Sequence, residues 1–265
     1  MNPEQFEVIF ESVKDSEDFL PSLRSMILNL ETKSLLVERA FELETAERLF
    51  EKIQSDIDKG KQIKNKTIKE DLIEPFEIPY NWKWVRLGDV FTNHGQKKPD
   101  TEFLYIDVSG INKAHGSIED LKKIVPGDAP SRARKIVKNG DVIYFCVRPN
   151  LLNIAVVNQT VAANLIASTT FAVLCGNGNI LPNYTWMVLR SPYLTTIVDN
   201  LQRGQAYPAI NDKDFYSLPF PLPSLEEQKR IVAKVDELMA LCDELENANQ
   251  KTKNIKSELL KTLVA

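Results

Sequence analysis

The last fifth of the chain, residues 223–265, limits the possible fold more than any other stretch. Ser224-Leu225-Glu226-Glu227 matches a capping box, in which the Ser224 hydroxyl accepts the Glu227 N–H and the Glu227 carboxylate accepts the Ser224 N–H. About 40 helical residues at 1.5 Å per residue give a rod of roughly 60 Å. A helix of that length cannot cover its own apolar stripe, so it requires another long helix, in this chain or in a partner.

Apolar residues recur along this helix at alternating steps of four and three, which is a heptad seam. The seam residues are Ile231, Val235, Leu238, Cys242, Leu245, Leu259 and Leu263. Between Leu245 and Leu259 the same positions hold Asn249, Thr252 and Lys256, and polar residues at such positions set the register of a coiled coil. We therefore expect a coiled-coil spacer that also serves for dimerisation. The alternative is an ordinary amphipathic helix packed on its own domain.

The 265 residues fall into three parts. Residues 1–74 show apolar stripes at helical spacing and then a polar segment, which predicts an N-terminal helical arm and linker. Residues 75–222 mix alternating strand patterns with one helical stretch at 183–201. Residues 223–265 form the long helix. The predicted class is α+β, with one mixed α/β domain flanked by long helices that form a coiled-coil-like arm.

The middle part contains one strong turn signal. Asn139-Gly140 lies between the strand candidates Ile136-Val137 and Val142–Phe145. A type I′ turn needs positive φ angles at both of its central residues, and Asn-Gly supplies them most readily. This pattern predicts a β-hairpin.

Several classes of function lack their residues. There is no apolar run of about 18 residues and no signal-peptide pattern, so we expect a cytoplasmic protein that does not contact a membrane. Cys146, Cys175 and Cys242 are scattered and odd in number, which argues against disulfides and against a zinc site. His94 and His115 are not spaced as ligands or as part of a triad, and we expect both in turns or at the surface. Without a phosphate-binding loop or a nucleotide-cofactor motif, we predict no catalytic residue, no metal and no cofactor in this chain.

The formal charge of −4 is unevenly distributed. Acidic residues outnumber Lys and Arg by 17 to 11 in residues 1–75, whereas Lys and Arg outnumber acidic residues by 15 to 12 in residues 76–222. An anionic partner would therefore bind the middle part.

Three loops of the middle part combine cations with amide or aromatic side chains. Arg and Lys pair with phosphates, while Arg, Asn and Gln make bidentate contacts to guanine and adenine edges. The candidate DNA-binding residues are Arg132, Arg134, Lys135, Arg148, Asn150, Asn153, Arg203, Gln205 and Tyr207. We predict that the first three contact phosphates and that the other six lie nearer the bases.

Four stretches of these parts resemble the specificity subunit of Type I restriction–modification systems. The stretches are residues 78–89, which resemble the start of a target-recognition domain, residues 131–157, residues 166–174, and residues 219–232, which resemble its end and the beginning of a conserved helix. Thr170 stands where the family more often has glycine. The segments Met1-Asn2-Pro3-Glu4-Gln5-Phe6 and Leu23–Leu30 resemble the family's leading arm.

The resemblance implies a subunit that reads DNA without catalysing a reaction. Members of the family usually carry two target-recognition domains, separated by two long helices, and each domain reads one half of a split site in double-stranded DNA. Methylase subunits bring S-adenosylmethionine, and a restriction subunit brings ATP and Mg²⁺ chemistry. This chain resembles one recognition domain with one such helix, so we expect a homodimer to rebuild the two-domain reader.

Three alternatives remain open at this point. The first concerns the origin of the half length: the chain could be a natural half-length subunit, a shortened gene product or an engineered fragment. A half-length subunit could also compete with a full-length system or exchange into it. From a different class, the chain could be a helical interaction module with no role on DNA, and salt-dependent retention on heparin or DNA would separate these two classes.

Overall fold

The computed structural model describes residues 19–37, 45–59, 63–64, 71–158 and 164–264. By its internal contacts the chain divides into two units, Met1–Arg39 with Arg230–Ala265, and Ala40–Lys229. Helices and strands both occur, so the predicted α+β class is confirmed. The functional division at residues 74/75 and 222/223 remains a prediction. No described helix has the length and apolar character of a membrane span.

Among the described residues, the helices and strands of the larger unit are short, apart from one helix, and the helices of the smaller unit are long. The helices are α1 Phe19–Glu31, α2 Ala46–Lys59, α3 Leu87–Val90, α4 Pro182–Leu189, α5 Pro192–Leu201, α6 Asp212–Tyr216 and α7 Leu225–Val264. The strands are β1 Ile63–Lys64, β2 Lys83–Arg86, β3 Thr92–Asn93, β4 Phe103–Ile106, β5 Ile111–Asn112, β6 Ser117–Ile118, β7 Lys122–Ile124, β8 Ala133–Val137, β9 Val142–Phe145, β10 Ile154–Val156, β11 Leu165–Ser168, β12 Phe171–Leu174 and β13 Pro219–Leu222.

Two sheets form the centre of the larger unit. One has the strand order β7-β4-β11-β8, with β11 parallel to β4 and the other pairs antiparallel, and the other has the antiparallel order β10-β9-β12. Ile106 and Val137 of the first sheet share one buried apolar cluster with Ile143, Phe171 and Val173 of the second. Full burial of one such side chain contributes roughly 1.5–3 kcal/mol. The core of this unit therefore lies where side chains of both sheets meet.

The predicted hairpin at Asn139-Gly140 is wrong. β8 pairs with β11 and β9 pairs with β10 and β12, so the two strands belong to different sheets. A turn is nevertheless present, because the Asp141 N–H donates to the Lys138 carbonyl at 3.1 Å and Gly140 has a φ of +87°. Asn139 is not among the residues with positive φ. The turn thus carries the chain from one sheet to the other.

The predicted helix over 183–201 is two helices, α4 and α5. Pro192 at the first position of α5 has no N–H to donate, and the residue before a proline is driven out of the helical region. Ser191 accordingly takes an extended conformation with ψ of 146°. The strand predicted around Trp82–Asp89 ends earlier than expected, since the chain continues from Arg86 into the short helix α3.

β2 and β13 pair antiparallel, with Val85 opposite Phe220 and Trp84 opposite Pro221. Proline has no N–H to donate to a neighbouring strand. Two prolines therefore fit a strand whose other edge does not pair with a further strand. The carbonyls of β13 accept side-chain hydrogen bonds instead, from Tyr184 Oη to Pro221 at 2.8 Å and from Tyr193 Oη to Pro219 at 3.3 Å. This pairing closes the larger unit where the chain enters and leaves the mixed domain.

The long helix α7 begins within the larger unit, and its first turn is buried. The Ser224 hydroxyl accepts the Glu227 N–H at 3.2 Å, as the capping box predicts. Glu227 Oε2 accepts from Asn81 Nδ2 at 3.1 Å. Gln228, 0% exposed, accepts the Leu181 N–H at 2.9 Å and donates to the Pro223 carbonyl at 3.3 Å. Both ends of this amide are therefore used to hold the start of α7.

The seam of α7 is buried in part. Ile231, Val235 and Cys242 are 0%, 1% and 2% exposed, and Leu238 is half-buried. Leu245 and Leu259 are exposed, and the side chain of Leu263 lies outside the described residues. Within the smaller unit, Arg24 of α1 contacts α7 through Asp243 at 2.5 Å and Glu246 at 2.9 Å. A helix of the same chain thus lies beside the middle of the seam.

Glu31 at the end of α1 is 0% exposed, and within the described part of the chain neither of its carboxylate oxygens has a hydrogen-bond partner. Burial raises the pKa of this carboxyl well above its ordinary value. The folded chain therefore keeps the Glu31 carboxyl protonated at pH values where the unfolded chain has released this proton, so the free energy of unfolding depends on pH. The group stabilises the fold least at pH values above its ordinary pKa, where the unfolded chain releases the proton that the folded chain retains.

Replacing Glu31 with Gln should therefore stabilise the protein in a pH-dependent way. The unfolded-state pKa of Glu is about 4.3, and at or below that pH both forms are neutral, so the variant should gain little. The gain should grow as the pH rises, because Glu31 must then take up a proton on folding and glutamine need not, and each unit by which burial raises the pKa corresponds to about 1.4 kcal/mol. Urea unfolding across this pH range measures it, with the exposed Glu258→Gln as control. A gain that does not depend on pH would contradict the account.

Candidate nucleic-acid interface

Two of the predicted loops lie side by side in the larger unit. Residues 146–153 follow β9, and residues 202–211 connect α5 to α6. The Ile210 N–H donates to the Cys146 carbonyl at 3.0 Å, and the Arg148 N–H donates to the Pro208 carbonyl at 2.6 Å. These backbone hydrogen bonds therefore bring the loop that contains Arg148, Asn150 and Asn153 beside the loop that contains Arg203, Gln205 and Tyr207.

The 202–211 loop is closed on itself at its base. Arg203 and Ala209 exchange two backbone hydrogen bonds of 2.9 Å each. Gly204 has a φ of +100°, and a Cβ at this position would come within 3.0 Å of the Tyr207 carbonyl oxygen. The sequence Arg-Gly-Gln-Ala-Tyr thus forms a tight projection that presents Gln205 and Tyr207 to solvent.

Arg148 is held in an unusual conformation. Its φ of +49° lies in the left-handed region, which costs a non-glycine residue on the order of 1–3 kcal/mol and is often found at functional sites. The guanidinium lies 4.8 Å from the centroid of the Tyr207 ring, and Nη2 donates to the Ala206 carbonyl at 3.5 Å. The stack orients a planar set of N–H donors beside an aromatic ring that is 69% exposed.

The exposed side chains of Arg148, Asn150, Arg203, Gln205 and Tyr207 are here named the loop surface. Arg203 is 79% exposed and lies 3.5 Å from Asp214 Oδ2, a carboxylate that also accepts from Asn211 Nδ2 at 2.6 Å. The loop surface therefore combines two guanidinium groups, two amides and one phenol. Asn153 is half-buried, and its carbonyl accepts the Phe145 N–H at 3.0 Å.

The three residues predicted to contact phosphates lie at or before β8, in three different environments. Arg132 is exposed just before the strand. Arg134 is half-buried, and its Nη1 donates to the Ala133 carbonyl at 2.8 Å. Lys135 is 8% exposed, and its Nζ lies 3.2 Å from Asp212 Oδ2. Lys135 thus connects β8 to the first residue of α6, directly after the 202–211 loop.

The alternation of β8 explains the burial of Lys135. Ala133, Lys135 and Val137 are buried while Arg134 and Ile136 are half-buried, which is the two-residue period of a strand. The two-residue period of a strand predicts, from the sequence alone, that Arg134 and Lys135 lie on opposite faces of β8.

His115 lies exposed in a turn, as expected, but the expectation that His94 lies at the surface is wrong for its side chain. The His94 side chain is 8% exposed and its Nε2 lies 3.1 Å from Asp141 Oδ2. Hydrogen bonds raise the pKa of His94 to about 9. The bond to Asp141 has the largest effect and the bond to Cys175 the next, and burial acts in the opposite direction. The three residues are far apart in the sequence, so spacing gave no signal. Cys146, Cys175 and Cys242 are all buried.

Comparison with known proteins gives one consistent family. The family described as Type I restriction modification DNA specificity domain matches residues 79–257. The specificity subunit of the Type I restriction enzyme EcoEI of Escherichia coli is 24% identical over 260 residues, 93% of this chain and 43% of that protein. The HindI specificity subunit of Haemophilus influenzae is 29% identical over 196 residues, 69% of this chain and 40% of that protein. The chain spans less than half the length of these relatives.

Solved structures give the same result. The HsdS subunit from Thermoanaerobacter tengcongensis is 38% identical, with a TM-score of 0.63 over 71% of this chain and 50% of that one. A second structure, from work on complex assembly and conformational transition of the type I R-M system, is also 38% identical, with a TM-score of 0.66 over 72% of this chain and 50% of that one.

Proposed function

Because the chain belongs to the family of Type I restriction modification DNA specificity domains, we propose that its larger unit reads one half of a split DNA site. The observation that carries this proposal is the loop surface, where Arg148 stacks on Tyr207 and Gln205 is exposed in the same loop as Tyr207. The chain would direct separate methylase and restriction subunits to the site and would catalyse no reaction itself.

The chemistry of the loop surface suits base edges. A guanidinium can donate two parallel hydrogen bonds to guanine O6 and N7, and Asn or Gln can pair with adenine N6 and N7. Each good bidentate pair discriminates by about 1–3 kcal/mol against a wrong base. Tyr207 adds an apolar face for a thymine methyl group, and its stack with Arg148 reduces the freedom that the guanidinium must lose on binding.

Phosphate contacts would come from Arg132 and Arg134, whose guanidinium groups are exposed and half-buried respectively. Lys135 is assigned to positioning, because its ammonium group is buried against Asp212. Asn153 is assigned to the same role through its carbonyl bond to Phe145. These assignments revise the prediction that Lys135 and Asn153 contact DNA directly.

The partners proposed here are double-stranded DNA, methylase subunits that bind S-adenosylmethionine, and a restriction subunit that uses ATP and Mg²⁺. The complex is placed in the cytoplasm. This chain would need no catalytic cofactor, since its part is recognition.

Methylation mapping tests the reading role of the loop surface. The chain is co-expressed with a methylase subunit of a Type I system, and methylated positions are mapped across the host DNA. Arg148→Ala and Gln205→Ala should each relax the motif at one position, since each removes a bidentate contact. Arg132→Ala with Arg134→Ala should leave the motif intact but lower the slope of log binding constant against log salt by about 1.8, at about 0.9 per phosphate. Lys251→Ala on the exposed side of α7 is the control.

A motif unchanged in Arg148→Ala and Gln205→Ala would place the base-reading surface elsewhere on the larger unit. An unchanged salt slope in the variant with Arg132→Ala and Arg134→Ala would place the residues that contact phosphates elsewhere on the larger unit. If the chain neither binds DNA nor directs methylation with its partner, the recognition role itself fails.

We also propose that two copies of the chain pair through α7. Leu241, Leu245, Ile255 and Leu259 are 49%, 46%, 58% and 57% exposed, and they extend an apolar stripe beyond the part of the seam that is buried. Soluble proteins seldom leave such a stripe open to water. A two-fold pair presents the same recognition surface twice, so the DNA site would be an inverted repeat of one half-site with a fixed gap.

Light scattering measures the pairing. The wild type should be a dimer at micromolar concentration, and Leu245→Asp with Leu259→Asp should be a monomer, because each charge would be buried without a partner. Asn247→Asp with Ser257→Asp, which adds the same charges at exposed polar positions of α7, should stay dimeric. A wild-type monomer, also with methylase bound, would contradict pairing. An asymmetric methylation motif would mean that a different recognition subunit, or a full-length one, completes the reader.

A further inference from the structure

Three side chains that commonly ligate transition metals converge in the larger unit, outside the loop surface. His94 Nε2 lies 3.2 Å from Asp141 Oδ1 and 3.1 Å from Oδ2. One ligand atom each from His94, Asp141 and Cys175 can be chosen so that all three lie within 4.8 Å of one another. Imidazole, carboxylate and thiol are the donor types found in zinc sites.

The three residues come from separate segments that the sheets hold in place. His94 follows β3, Asp141 ends the turn before β9, and Cys175 follows β12. Thr92 and Cys175 exchange two backbone hydrogen bonds of 3.1 and 3.0 Å. β9 and β12 are paired, with Val142 opposite Leu174, so Asp141 and Cys175 extend from neighbouring strand ends. The convergence is therefore a property of the fold.

The cluster is shielded from bulk water but reachable from one side. The side chains of His94 and Asp141 are 8% and 3% exposed, and Cys175 is 8% exposed. All three line a cavity of about 420 Å³, whose other walls include Lys138, Asn139, Asn177 and Leu181. Asn177 Oδ1 lies 3.1 Å from Cys175 Sγ on this side.

We propose that His94, Asp141 and Cys175 form a binding site for a divalent transition-metal ion, with Zn²⁺ as the preferred ion. Bonds of about 2.0–2.3 Å in a tetrahedral arrangement place neighbouring ligand atoms about 3.5 Å apart. The spacing between His94 and Asp141 already meets this requirement, and because the three ligand atoms lie within 4.8 Å of one another, Cys175 must approach by at most about 1.3 Å. The fourth position faces the cavity, where Asn177 Oδ1 or a water molecule can occupy it.

The donor set decides the kind of ion. A thiolate and an imidazole favour Zn²⁺ over Mg²⁺ and Ca²⁺, which prefer oxygen ligands. The bound ion would replace the hydrogen bond between His94 and Asp141 and would cross-link the segment after β3 to the ends of β9 and β12. It would therefore stabilise the larger unit, and this role is independent of how the chain reads DNA.

Cobalt binding tests the site directly in the chain of residues 1–265. The protein is treated with a chelator and a reductant, any affinity tag is removed, and Co²⁺ is added without oxygen. One equivalent should give the absorption bands of tetrahedral cobalt together with a thiolate-to-cobalt charge-transfer band, and Zn²⁺ should displace it. The unfolding temperature should rise with Zn²⁺ concentration, because the ion binds the assembled site of the folded state more tightly than it binds the unfolded chain.

Three ligand variants and three matched controls separate a metal site from a hydrogen-bonded cluster. Cys175→Ser should abolish the charge-transfer band, and His94→Gln and Asp141→Asn should each weaken Zn²⁺ binding at least about tenfold. Cys242→Ser, His115→Gln and Asp128→Asn should bind as the wild type does. His94→Gln keeps a donor for Asp141, so circular dichroism should show a folded chain even without metal.

Two results would overturn the proposal. One is the absence of stoichiometric Co²⁺ or Zn²⁺ uptake by the folded wild type at micromolar metal, which would leave His94, Asp141 and Cys175 as a hydrogen-bonded cluster only. The other is a charge-transfer band that survives in Cys175→Ser, which would place the ion at a different thiol.

Discussion

The pairing of β2 with β13 is the constraint on which the larger unit depends. It joins the strand by which the chain enters the mixed domain to the strand by which it leaves, with Lys83 opposite Leu222 at one end and Arg86 opposite Pro219 at the other. Because β13 is followed within three residues by the first turn of α7, the same pairing fixes where the long helix begins. Buried polar groups complete the junction, since Ser224, Glu227 and Gln228 are all about 1% exposed or less.

This junction explains why polar residues are retained in a buried helix start. The first turn of a helix leaves backbone N–H groups without partners, and burial makes each of them costly. The Ser224 hydroxyl satisfies one of them, while Gln228 satisfies the Leu181 N–H at the start of α4. Glu227 accepts from Asn81, whose carbonyl in turn accepts the Ala46 N–H at the start of α2. Three helices are thus positioned by one short segment.

The candidate interface depends on a different kind of contact. Its residues come from loops that meet through backbone hydrogen bonds between 146–148 and 208–210. The loops themselves are short and polar, and the sheets and α5 hold their ends. A rigid scaffold with variable loops allows the side chains of the loop surface to change without disturbing the core. Such an arrangement suits the proposed reading of DNA by exposed loop side chains.

Local signals predicted some features well and others poorly. The capping bond of α7 was readable because it involves residues within one turn of one helix. The heptad predicted the burial of Ile231, Val235 and Cys242, whereas Leu245 and Leu259 are exposed, and the coiled coil stays a prediction. Asn139-Gly140 correctly indicated a turn, but strand partners are chosen by the core, and Ile143 and Val137 face the same cluster from different sheets. Pro192 divides 183–201 into two helices, and this signal lies in the sequence itself.

The candidate site was readable in part for the same reason. Arg148 and Tyr207 could be selected by residue type, but their stack depends on loops that are distant in the sequence. Lys135 was separable from Arg134 by strand alternation. The partnership of His94 with Asp141 depends on tertiary structure alone, and no spacing rule could have found it.

The buried start of α7 should fold as one cooperative unit with β2 and β13. Hydrogen exchange at backbone amides of Gln228→Ala measures this most directly, with Gln250→Ala, an exposed amide on the same helix, as control. The account predicts that protection falls together at Leu181, across β2 and β13 and in the first turn of α7, by about 1–3 kcal/mol, because two buried groups lose their partners. A loss confined to the first turn of α7, with β2, β13 and Leu181 unchanged, would contradict it.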